Sequence, residues 1–140
     1  MAELFAGFVS GFGMSLLIAP IIALTLLRMR AESVILARLL PAGVNPVALT
    51  ILLHGGAAVL WTSLGLFFGL LLLLLKGAPQ AAGSLNGPYS LIVGLVLFLV
   101  AAPAAVLIDA WRRQIIVIAV IAVAVFGWLT PYLAEWSKFS

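Results

Sequence analysis

Long apolar stretches alternate along this chain with short charged clusters. No charged side chain occurs from Leu4 to Leu27, from Leu39 to Leu75, from Gly77 to Ile108, or from Gln114 to Ala134. A membrane-crossing helix needs about 20 mostly apolar residues. Each stretch is long enough for one crossing and too short for two crossings with a turn between them. The pattern predicts four spans, over about 4–27, 46–75, 88–110 and 114–134. Strands of a membrane barrel alternate polar and apolar positions, and the leucine run from Leu70 to Leu75 does not alternate. A helix pairs its backbone polar groups within itself, as hydrocarbon demands. The expected fold is an all-α integral membrane protein, a single membrane domain over 1–140, with four transmembrane helices packed as a bundle.

Local signals punctuate these spans. Asn45 is a good N-cap and Pro46 suits the first helical position of the second span. Pro88 opens the third span in the same way. Pro20 and Pro103 fall inside the first and third spans and predict kinks, because proline cannot donate to the carbonyl four residues back. Between the first two spans, Val34, Ile35, Leu36, Leu39 and Leu40 sit among Arg30, Glu32 and Arg38. That mixture predicts a short interfacial helix over 31–40, its apolar face in the membrane surface. Trp128, Tyr132 and Trp136 form an aromatic belt at the end of the fourth span. Ala19–Pro20, Leu24 and Arg30 recur as Ala102–Pro103, Leu107 and Arg113 at one constant offset, a weak hint of an internal repeat.

Composition narrows the function classes. The chain is 66% hydrophobic and 8% charged, against about 25% charged in soluble domains. A soluble enzyme and a disordered chain are both excluded on this ground. The absence of cysteine excludes thiol catalysis and disulfide exchange. The acidic start Met1–Ala2–Glu3 is unlike a cleaved signal peptide, so the first span is expected to be retained.

Net charge is +3, and its placement matters more than its size. Arg28, Arg30 and Arg38 follow the first span, and Arg112 and Arg113 separate the third from the fourth. Lys76 and Lys138 lie on the opposite side. Positive charge favours the cytoplasm. Loops 28–45 and 111–113 are therefore expected inside, with both termini outside a plasma (inner) membrane. Arg28, Arg30 and Arg38 then set topology and attract anionic lipid head groups, at about 1 kcal/mol for each charge. The bilayer is the first expected partner, and nucleic acid is not one, because no basic stripe is interleaved with aromatics.

Small residues carry the clearest packing signal. Gly7, Gly11 and Ser15 share one face of the first span, and Gly65 and Gly69 one face of the second. Small residues at every fourth position let helix backbones approach closely. These residues predict antiparallel packing of the first two spans in the half nearest the chain termini.

Polar candidates are few. His54 is the only histidine, and an ionisable group within a span is a functional candidate by default. A metal needs further ligands, and the second span offers none. His54 is therefore read as neutral and hydrogen-bonded to another helix, through the Leu16 carbonyl freed by Pro20 or the Thr25 hydroxyl. With Ser15, Thr62 and Ser63 it supplies candidate path-lining groups. Asp109 precedes Arg112 and Arg113 by about one turn, so a structural ion pair is expected. No catalytic residue, metal site or cofactor is expected. The function read from these features is non-enzymatic association, with a second copy as a homo-oligomer or with a membrane protein complex. The alternative is a small transporter or channel subunit, its path lined by the proline-broken first and third helices and by the second.

Overall fold

The charge-free stretches fold as helices in a computed structural model that describes residues 1–29, 43, 45–75 and 87–137. The segment 31–40, with Arg30 and Arg38, lies outside the described residues, as do Lys76 and Lys138. Helix α1 is Ala2–Met29 and continues through Pro20 without interruption. Helix α2 is Pro46–Leu74. Its start is capped as its residues dictate: the Val47 N–H donates to Asn45 Oδ1 at 3.0 Å. Helix α3 is Gly87–Leu107 and contains Pro103.

The chain turns sooner after α3 than the charge pattern suggests. Ile108 leaves helical geometry at φ −115° and ψ 73°, and a 3-10 turn spans Asp109–Trp111. Helix α4 then begins at Arg112 and runs to Ala124. The third span thus ends before 110 and the fourth begins before 114, because Asp109 and Arg112 take part in the turn. A π turn, Val125–Leu129, follows, and helix α5, Thr130–Trp136, completes the rod. Four segments are long and apolar enough to cross a membrane, the last comprising Asp109–Trp136. The described chain is almost entirely helical, and these four apolar rods suit a helical membrane protein.

Contacts divide the helices into two antiparallel pairs. Helix α1 lies along α2, and α3 lies along α4 and the π turn. The pairs join chiefly where α5 and the π turn meet the first half of α1, while α2 and α3 barely touch. Met1, the end of α2, the start of α3 and the end of α5 consequently share one end of the molecule, here called the terminal end.

The core sits at that end. Helix α1 buries Ala6, Met14 and Ile18 along one stripe. Helix α3 buries Tyr89, Val93 and Leu97, one turn apart, and nothing beyond them. The last rod buries nothing before Ala122, then Phe126, Gly127, Thr130 and Ala134. Phe126 is fully buried, with ring centroids 5.0 Å from Phe68 and 6.1 Å from Trp61. Each such aromatic pair adds about 0.5–1.5 kcal/mol beyond its buried area. At the opposite end, Leu99, Val100, Val106, Ile116, Val117 and Val120 stand exposed. Acyl chains are as apolar as these side chains, so a bilayer would cover them without penalty.

Candidate functional site

Two constructions at the terminal end stand out, an interlock of glycines and a cluster of hydroxyls. The interlock joins α1 to α2. A methyl group added to Gly7 would run into the Gly65 carbonyl and lie 3.0 Å from Gly69 Cα. One added to Gly65 would strike the Gly7 carbonyl and lie 2.9 Å from Gly11 Cα. At Gly11 the obstacle is the Trp61 carbonyl, and at Gly69 it is the Glu3 carbonyl oxygen, 2.5 Å away. All four obstacles are backbone, which cannot swing aside as a side chain can. Only hydrogen fits at these positions. Ser15 and Ala19 continue the buried face of α1, and the Ser15 hydroxyl donates to the Phe12 carbonyl at 2.7 Å.

The hydroxyl cluster is built around the π turn. The Thr130 N–H bonds to the Val125 carbonyl, five residues back. In an α-helix that N–H would serve Phe126 instead. Residue 131 is proline and has no N–H to offer either Phe126 or Gly127. Two adjacent carbonyls thus lose their regular donors in an apolar setting, where an unpaired one costs several kcal/mol. Helix α3 supplies the replacements. Tyr89 Oη donates to the Phe126 carbonyl at 2.8 Å, and Ser90 Oγ donates to the Gly127 carbonyl at 3.1 Å. The Thr130 hydroxyl lies 2.9 Å from Ser10 Oγ on α1 and 3.2 Å from the Val125 carbonyl. Ser10 and Thr130 are both buried. Among the described residues, no buried side-chain nitrogen or oxygen lacks a partner.

The other sequence candidates are placed differently. His54 Nδ1 lies 2.9 Å from the Thr50 carbonyl, one turn back in its own helix. That bond takes the place of the expected reach to the Leu16 carbonyl or the Thr25 hydroxyl. Thr25 likewise turns inward on its own helix and donates to the Ile21 carbonyl at 2.7 Å. Thr62 sits behind Gly11, its Cα 3.0 Å from where a Gly11 methyl would lie. Ser63 is exposed and lines an open groove of about 610 Å³ on the outward face of α2, with Gly55, Gly56, Val59 and Phe67. Ser15, Thr25 and His54 thus each bond within their own helix. Asp109 pairs with Arg112 at 2.7 Å, both side chains exposed, and Arg112 Nε also points to the Ala105 carbonyl at 3.4 Å. Arg113 is exposed. Arg28 falls in the last turn of α1. Among the described residues, no group of three or more His, Asp or Glu side chains is placed to hold a metal ion.

Glu3, Tyr89, Ser90 and Thr130 escaped the sequence reading. Glu3 lies inside α1 and is 2% exposed, its carboxylate 3.3 Å from the N-terminal ammonium. Tyr89 and Ser90 gave no motif of their own. The usable signal was Pro131: a proline in a span frees a carbonyl four residues back, and the hairpin brings the start of α3 opposite that carbonyl. The chain matches no protein-family model, no curated protein and no solved structure.

Proposed function

We propose that this chain is a small, non-enzymatic membrane protein that works by associating with a second copy or with a membrane protein complex. Its four spans pack as a bundle in a plasma (inner) membrane, with both termini outside and the arginine-bearing loops on the cytoplasmic side. The observation that carries this reading is the uneven use of its apolar surface. Close packing is concentrated along α1–α2 and at the terminal end. Away from the terminal end, α3 and α4 keep Leu99, Val100, Val106, Ile116, Val117 and Val120 uncovered. Such a surface is at home against lipid or against another helix. Cytoplasmic arginines at Arg28, Arg30 and Arg38 favour anionic lipids on that side.

The natural absence of cysteine makes the test clean. Single cysteines at Val106, Val117 and Val120 should give disulfide-linked dimers, or adducts with one discrete partner, in native membranes under mild oxidation. Cysteines at the buried positions Val93 and Ala122 should give none. Monomer alone at every exposed position, together with a monomeric mass in detergent, would contradict association. Solute or ion flux through proteoliposomes of the purified chain would instead support the transport reading.

A further inference from the structure

We propose that the π turn Val125–Leu129 is a two-register hinge, pinned in its wide register by Tyr89 and Ser90, and that this pin sets which face of α5 meets α1. The inference stands apart from the association reading and rests on the hydroxyl cluster alone. A π turn holds one residue more than the α turn it replaces. If it closed to α geometry, every residue after it would move by one helical step, about 100° of rotation and 1.5 Å of rise. In the wide register Thr130 faces Ser10, and Ala134, 2% exposed, also lies buried. In the closed register those places would fall to Leu129 and Leu133. The Ser10–Thr130 hydrogen bond would be lost, and two larger side chains would meet α1. The join between the helix pairs would be repacked around a different face of α5.

What chooses between registers is the supply of donors to two carbonyls. The closed register returns the Thr130 N–H to Phe126 but leaves Gly127 without one, because residue 131 is proline. The wide register gives the Thr130 N–H to Val125 and leaves both Phe126 and Gly127 to side chains. Tyr89 and Ser90 fill both vacancies. Because these donors sit on consecutive residues of α3, displacement of α3 along α4 would remove both together. Movement of α3 is thereby coupled to rotation of α5 against α1.

Paired cysteines read the register directly. In an otherwise unaltered chain, Ser10→Cys with Thr130→Cys should form a disulfide on mild oxidation in membranes, and Ser10→Cys with Leu129→Cys should not. Adding Tyr89→Phe and Ser90→Ala should diminish the product at 130 and create one at 129. Persistence of the 130 product alone would overturn the proposal. If that double variant fails to accumulate, Pro131→Ala carries the test, since an N–H at 131 makes the closed register self-sufficient. It should likewise bring up the 129 product, and a yield confined to 130 would overturn the hinge.

Discussion

At the scale of single residues, what matters is whether a side chain has anywhere to go. Gly11 and Gly65 abut backbone, so a side chain at either must push α1 and α2 apart. Gly11→Leu and Gly65→Leu should each cost at least the ~1–3 kcal/mol of overpacking, read as a lowered melting temperature in detergent. Gly13 is the internal control, because a methyl there meets nothing within 4 Å. Gly13→Ala should leave the melting temperature unchanged or raise it, given alanine's advantage in helices of about 0.8–1 kcal/mol. Equal losses at Gly11 and Gly13 would remove the interlock from the explanation. His54→Leu should shift stability by no more than about 0.5 kcal/mol, since its ring bonds within its own helix. The glycine spacing was legible in sequence because the helical repeat alone places Gly7 beside Gly11 and Gly65 beside Gly69 on one face. The partner of His54 was not, because a histidine in a helix has its own preceding turn within reach and nothing in the sequence ranks that bond against a neighbouring helix. Ser10 meeting Thr130 was illegible too, since it depends on how two hairpins dock.

At the scale of elements, the four rods were legible because charge marks their ends so sharply. Inside the last rod the sequence shows one unbroken apolar stretch, yet the structure contains α4, a π turn and α5. That division depends on donors from another helix, which no local pattern encodes. Helix α3 is also divided. Its buried positions, Tyr89, Val93 and Leu97, recur at one-turn intervals and then stop. A scan of single spin labels along α3 should show oxygen accessibility oscillating with a period of about 3.6 residues, with full amplitude from 87 to 97 and a smaller one to 107, where Ala101, Ala102, Ala104 and Ala105 are only half-buried. Undiminished oscillation to 107 in monomeric protein would mean that α3 and α4 stay tightly packed along their whole length. The proline-bearing α1 and α3, alike in their spacing of Ala, Pro, Leu and Arg, are used differently. Helix α1 buries residues as far as Ala23, whereas α3 buries none after Leu97.

At the scale of the whole molecule, two helical pairs meet at one end and present apolar side chains almost everywhere else. In water, exposed apolar patches beyond a few hundred Å² mark interaction sites or aggregation. This chain exposes Phe98, Leu99, Val100, Val106 and Leu107 on α3 alone. Topology has its own check: a cysteine at Ser84 should react with an impermeant thiol reagent added outside intact cells, and one at Ser33 should not. The reverse labelling would invert the assigned orientation while leaving the four spans standing. The spans themselves are tested most directly by sedimentation of the purified chain after complete removal of detergent, with and without added lipid. Four membrane-crossing helices predict large, heterogeneous aggregates in buffer and co-flotation with lipid vesicles. A helical, monodisperse species of single-chain mass in plain buffer would contradict them.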